Sequence, residues 1–428
     1  MELPGVARLR VRRRMVVVIG LAVANVLAVG CLWWHLGPYL DLEVYRLGAQ
    51  TWLDNGSLYG ALPVTSVGIA LPFTYPPVAA VLLTPFTLVS VPVGGVLLAV
   101  AGLVMVVIVI AVGLGVPSRW WIAAATALPV CVALEPVRET LNYGQVNLLL
   151  MGLVVLDCLV LLPRWPRGRL LGLAAAVKLT PAGFALFFLL RRDRQAVVVS
   201  IGTFLVLTAA GFVLAKEESL RYWSTTLYDT GRIGTVHYAG NQSLQAVLAR
   251  FGLQPPFRTL VWLLGAAIVL AFAVVAIRRA LEADRPDLAL GLNALAVLVV
   301  SPVSWTHHWV WAVPVLLALC RMRTPLPLAL AAAGATIFTL APQWWWPNTA
   351  NAEYSWDIVQ QVLGNAYLYF AVLVLVLASR SQAFDRSPPA VAAGRTASAI
   401  GQSTPGGPAS GTRGLVAGPR PRPRSLRR

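Results

Sequence analysis

Residues 93–114 read VGGVLLAVAGLVMVVIVIAVGL, 22 consecutive positions without a charged or polar side chain. As a helix rising 1.5 Å per residue, this run reaches about 33 Å and crosses a hydrocarbon core of about 30 Å. The pattern repeats outward along the chain. Apolar runs at Pro77–Val89, Trp120–Leu134, Ala196–Ala215, Thr259–Ile277, Leu288–Val300, Trp309–Cys320, Leu326–Leu340 and Gly364–Ala378 alternate with short arginine clusters. With 58% hydrophobic and only 12% charged residues over 428 positions, the chain excludes a water-soluble enzyme, since soluble domains carry about 25% charged residues. It is expected to be an all-α, polytopic integral membrane protein with about 10–13 transmembrane or re-entrant helices.

The net charge of +17 does not point to nucleic acid. Residues 1–14 hold five arginines against one acid, and residues 386–428 hold eight arginines and no acid, so the two ends carry most of the excess. Further arginines fall in short loops: Arg164, Arg167 and Arg169; Arg191, Arg192 and Arg194; Arg278, Arg279 and Arg285; Arg321 and Arg323; Arg380. This is the positive-inside distribution, with membrane lipids rather than nucleic acid as the counter-charge. The reading has a basic cytoplasmic N-terminus over 1–14, an uncleaved first span at Met15–Leu36, and an external loop over 37–75. The membrane-embedded region runs to 380, and a disordered basic cytoplasmic tail covers 384–428. Between two arginine clusters, Lys178-Leu179-Thr180-Pro181 interrupts an apolar piece. A broken helix at membrane depth is tolerated where it lines a cavity. Cys31, Cys131, Cys158 and Cys320 lie in or beside apolar runs without a CxxC pair and read as small buried hydrophobes.

In so apolar a chain, each ionisable group near the membrane is a candidate for function. Asp41 stands five residues past the first span, with Glu43 and Tyr45 after it and Tyr75 where the chain re-enters. A fixed carboxylate there serves as a general base or caps a short surface helix. A second cluster joins Glu135, Arg138, Asn142, Gln145 and Asn147. Its amides suit sugar hydroxyls and its arginine a phosphate; a plain loop with Glu–Arg pairing fits equally. Lys178, one of two lysines, sits far enough from either arginine cluster that burial against an anion explains it better than snorkelling. His307 and His308 are adjacent and lack the i, i+4 spacing of a metal pair. Asn241 and Gln242 add a polar patch, and Trp344–Trp346 suit an interfacial aromatic belt.

Taken in order, several short motifs resemble one family. They are Asp41-x-x-Val44-Tyr45, Thr74-Tyr75-Pro76-Pro77, Gly144-Gln145-Val146-Asn147, Lys178-Leu179-Thr180-Pro181, Asn241-Gln242-Ser243 and Ser304-Trp305-Thr306-His307-His308. Together they resemble the polyprenol-phosphate-mannose-dependent alpha-mannosyltransferases of actinobacteria, in glycosyltransferase family 87 of the GT-C superfamily. The resemblance runs from about Arg8 to Arg380. It implies a polyprenyl-phosphate-mannose donor, a mannosylated glycolipid or lipoglycan acceptor, and a site facing the exterior of the plasma membrane. It also implies inversion to an alpha linkage, most often alpha-1,2. By the same resemblance Asp41 is the catalytic base, while Arg138, Lys178, His307 and His308 are candidates to hold the donor phosphate. Glu43, Tyr45, Tyr75, Glu135, Asn142, Gln145, Asn147, Asn241 and Gln242 are candidates for sugar or acceptor. Inversion needs one base and no paired nucleophile, and neither a metal nor a cofactor is expected. The competing reading is a lipid-linked glycan flippase or another polytopic transporter, whose polar residues would line a translocation path.

Overall fold

The computed structural model describes residues 30, 36–115, 120–160 and 165–384. The basic N-terminus, nearly all of the span expected over Met15–Leu36, Cys31, Arg164 and the tail from 385 lie outside the described residues. Phe384, where the tail was expected to begin, is buried in a short 3-10 turn.

Among the described residues the chain is all-helical, and its one β pairing is an isolated bridge between Asn241 and Trp305. The loop after the first expected span folds into α1 (Leu40–Leu53) and an irregular return over 54–76. Then follow α2 (Pro77–Leu83), α3 (Val91–Gly113), α4 (Trp120–Ala133), α5 (Glu135–Tyr143), α6 (Asn147–Leu159), α7 (Arg169–Val177) and α8 (Ala185–Leu190). Next come α9 (Arg194–Leu214), α10 (Lys216–Ser224), α11 (Leu244–Arg250), α12 (Phe257–Glu282) and α13 (Pro286–Val300). The chain closes with α14 (Ala312–Met322), α15 (Pro325–Leu340), α16 (Ile358–Gly364) and α17 (Ala366–Arg380).

Four of these, α3, α9, α12 and the stretch Pro325–Trp344, are long and apolar enough to cross a membrane. The bent pairs α5–α6 and α16–α17 bring the number to six, and Pro77–Leu88, Thr180–Leu190 and Pro286–Val300 are shorter apolar pieces. The protein is a multi-pass membrane protein. Its outer helices turn apolar side chains outward: Val198, Ile201, Leu205 and Val206 on α9, and Leu260, Leu264 and Ile268 on α12, are exposed. Hydrocarbon is the solvent that such faces fit. Cys131 and Cys158 are buried as expected, whereas Cys320 is exposed because it falls on the outward face of α14.

Breaks in the helices position the polar residues. Pro136 opens α5 in its first turn, and Gly144 ends it at φ 66°, a left-handed conformation that glycine adopts without strain. The chain then bends by 119° into α6. A Cβ on Gly144 would lie 2.8 Å from Leu42 Cβ, so the missing side chain lets α1 rest directly on this bend. Gly95 in α3 receives the Tyr39 ring in the same way. Tyr39 N–H donates to the Asn142 carbonyl at 3.1 Å, tying the start of α1 to the end of α5. The second break lies at Lys178. There α7 stops, the residue itself is extended (φ −146°, ψ 126°), and Pro181 begins a 3-10 turn over Thr180–Phe184. At the other end of α7, the buried Asp157 carboxylate accepts the amides of Gly168 and Leu171 at 2.8–3.0 Å, a favourable place for negative charge.

Candidate active site

Both breaks open onto one cavity of about 390 Å³. Asp41 and Tyr45 from α1, Tyr75 from the return, Gln145 from the α5–α6 bend, Lys178 from the second break, and His307 with His308 all line it. Pro72, Pro76, Leu179, Pro302 and Val303 contribute apolar wall.

A hydrogen-bond chain sets the carboxylate. Gln145 Nε2 donates to Asp41 Oδ2 at 2.6 Å, and the Tyr45 hydroxyl donates to Gln145 Oε1 at 2.5 Å. The hydroxyls of Tyr45 and Tyr75 meet at 2.8 Å, and Tyr75 reaches Gln145 Oε1 at 3.3 Å. A phenol pointing at the amide oxygen turns the amide nitrogen toward Asp41. Asp41 is half-buried, and what it exposes faces this walled cavity rather than bulk water. Burial pushes its carboxyl up to about 6, against the opposing pull of the Gln145 hydrogen bond and the Lys178 charge.

A second chain sets the ammonium. Lys178 Nζ donates to Asn147 Oδ1 at 2.9 Å and lies 3.1 Å from His308 Nε2. An ammonium only donates, so His308 Nε2 is the acceptor and its ring is neutral, with the proton on Nδ1. Asn147 is itself oriented by donating Nδ2 to the His307 carbonyl at 2.9 Å, an oxygen that also accepts from the Thr140 hydroxyl at 3.0 Å. One of the three Lys178 N–H groups is left for a ligand. Lys178 also lies 5.3 Å from the centre of the Tyr75 ring. His307 Nε2 is buried without a partner among the described residues although its ring lines the cavity. Such an orphan is costly until a ligand meets it.

Seven of the sequence candidates do not line this cavity, and one of them, Asn147, acts on it only through its hydrogen bond to Lys178. Glu43 accepts from the amide and hydroxyl of Ser66 at 2.8 Å and closes the loop. Glu135, almost fully buried, accepts from Trp344 Nε1 at 2.8 Å and the Tyr367 hydroxyl at 2.9 Å, joining α5 to the C-terminal helices. Arg138 donates to the Ala133 carbonyl one turn back, and Asn142 donates to Glu139 at 3.3 Å. Asn241 Oδ1 accepts from Ser304 N–H at 2.9 Å, while Gln242 donates to the carbonyls of Ala239 and Gly364. Asn241 and Gln242 thus brace the histidine segment from behind. The physical reason is shared: each of these polar groups is already met by a backbone or side-chain partner of the protein itself.

Other lining residues escaped the sequence reading. Tyr222, Asp229 and Arg232 line the cavity, and so does Trp305, which was quoted within a motif but given no role. The stretch carrying the first three was read only as a polar external connection. An arginine there, against the charge bias of external loops, was the available signal. Among the described residues no group of three or more His, Cys, Asp or Glu side chains is placed to hold a metal ion.

A carboxylate and an ammonium lining one walled cavity in a membrane protein are groups that can exchange a proton and meet an anion. The family model for glycosyltransferase family 87 matches residues 73–302, and the chain belongs to that family. It is therefore an enzyme, a membrane glycosyltransferase, and the transporter reading falls away. Among its relatives, the polyprenol-phosphate-mannose-dependent alpha-(1-2)-phosphatidylinositol mannoside mannosyltransferase of Mycolicibacterium smegmatis is 40% identical over 388 residues, covering 83% of this chain and 87% of its own. The protein of the same description from Mycobacterium tuberculosis is 38% identical, covering 82% and 88%. A phosphatidylinositol pentamannoside mannosyltransferase of M. tuberculosis is 35% identical, covering 68% and 70%.

Proposed function

We propose that this glycosyltransferase moves mannose from polyprenyl-phosphate-mannose to a phosphatidylinositol mannoside, forming an alpha-(1-2) linkage on the external face of the plasma membrane. The donor and acceptor are those in the relatives' descriptions. The observation that carries the mechanism is that Asp41, held by Gln145 at the α5–α6 bend, and Lys178, at the second break, line the same cavity.

Asp41 Oδ1 accepts the proton of an acceptor mannose hydroxyl while Gln145 holds Oδ2. The hydroxyl oxygen forms a bond to the anomeric carbon of the donor mannose as the bond from that carbon to the phosphate oxygen breaks. The electron pair leaves with the polyprenyl phosphate, whose charge meets the free N–H of Lys178 and a hydrogen bond from His307 Nε2. One displacement inverts the beta linkage of the donor to alpha. The cation and the base stay in place throughout, so little reorganisation is required as charge develops. A lipid-linked donor also needs a site open to the bilayer, because each buried CH₂ retains it by about 0.8 kcal/mol. The external orientation is supported by the arginine clusters, which assign the opposite loop ends to the cytoplasm.

The test is mannose transfer by purified protein from radiolabelled polyprenyl-phosphate-mannose to phosphatidylinositol mannosides, with linkage analysis of the product. Asp41→Asn should lower the rate by about 10³-fold, within the range for loss of a general base. Transfer by that variant at the parent rate would defeat the assignment.

A further inference from the structure

The cavity holds a second cation that the transfer step does not use. Arg232, in a short 3-10 turn (Thr230–Ile233), lines the cavity with Asp229. Its guanidinium lies 5.9 Å from the centre of the Tyr59 ring. Among the described residues no carbonyl or carboxylate accepts from that guanidinium. A guanidinium that no acceptor claims keeps paired N–H groups with which to grip a phosphate at two points.

The two cations occupy different ends of one aromatic row. Tyr59 packs against Phe73 at 6.3 Å, Phe73 against Tyr75 at 5.8 Å, and Lys178 sits over Tyr75. The Lys178 charge acts on Asp41, and the Arg232 charge on Tyr59. An inverting displacement requires the acceptor to enter opposite the leaving phosphate. If the donor phosphate is at Lys178, the cation at the far end of the row meets the acceptor. An external arginine facing a cavity is also out of keeping with the charge bias of the loops unless an anion is its partner.

We infer that Arg232 is a specificity residue that grips the phosphodiester of the glycolipid acceptor, so that the enzyme selects an anionic mannolipid over a neutral mannoside. This rests on the function proposed above. Asp229 on the same wall would accept hydroxyls of a sugar or inositol headgroup.

The experiment compares Arg232→Gln, Arg232→Lys and the parent in detergent, with two acceptors: a phosphatidylinositol mannoside and an alkyl alpha-mannoside of the same glycan without phosphate. For Arg232→Gln, the KM for the anionic acceptor should rise about tenfold more than that for the neutral one, the factor expected on losing one charged contact. The KM for the donor should move less than either, and Arg232→Lys should recover part of the loss. Equal losses with both acceptors, a rise confined to the donor KM, or no change would each overturn the inference. A parent enzyme that transfers nothing from polyprenyl-phosphate-mannose would instead sink the underlying function, which separates the two failures.

Discussion

Gln145 Nε2 donates to Asp41 Oδ2 at 2.6 Å, joining residues 104 positions apart in the chain. The bond makes the proposed base part of the α5–α6 bend, because the amide that holds the carboxylate is itself turned by Tyr45 and Tyr75. Moving the bend moves the base.

The pH dependence of transfer should follow Asp41. With the carboxyl raised to about 6, activity falls as pH drops through that value, since the protonated acid cannot accept a proton. The Gln145 hydrogen bond and the Lys178 charge both favour the ionised form, so Gln145→Leu should move this acid limb to higher pH. A kcat/KM profile from pH 5 to 8 reads the shift, and an unmoved limb in Gln145→Leu contradicts the account.

The same burial has a stability consequence. A carboxyl whose folded pKa lies above its unfolded one is neutral in both states well below pH 4. The folded state then loses stability as pH rises between the two values. Asp41→Asn, which removes the buried charge, should stabilise the protein at pH 7.5 by roughly 1–3 kcal/mol, the linkage energy of about two pKa units at most. The gain should vanish near pH 4. Thermal unfolding in detergent at the two pH values checks both the sign and the window.

Lys178→Met should lower kcat by about 10²–10³, comparable to losing one preorganised donor at an oxyanion. Lys178→Arg should restore part of the rate. Because the ammonium spends two of its N–H groups on Asn147 and His308, Asn147→Leu should act in the same direction and more weakly. Single-turnover transfer rates distinguish these effects from changes in donor binding.

Gly144→Ala should damage stability and rate together. A Cβ at φ 66° meets Leu42 Cβ at 2.8 Å, and the left-handed conformation costs an alanine about 1 kcal/mol before the clash is counted. Melting and transfer should both fall, whereas Gly68→Ala, at φ 78° with nothing within 4 Å of the added Cβ, should affect melting alone.

Much of the site was legible because ionisable residues are so rare in this chain. Asp41 and Lys178 stood out by scarcity, and both line the cavity. Glu135 and Arg138 stood out for the same reason and do not line it. Scarcity marks a residue as expensive to bury but does not say whether a ligand or a neighbouring helix meets its charge. Arg232 went unnoticed because its stretch was read only as a polar connection, and the fold brings it to the cavity wall beside Tyr59.

Apolar runs, arginine clusters and the Lys178-Leu179-Thr180-Pro181 interruption determined by themselves that the chain is a helical membrane protein broken at Lys178. These are local properties, since a run of 22 apolar residues has few places to go but the bilayer. Which polar groups face one another was decided only in three dimensions. A hydrogen-bond partner is chosen by whichever element packs alongside, and the bend that carries Gln145 could meet α1 only because Gly144 has no side chain to hold Leu42 away.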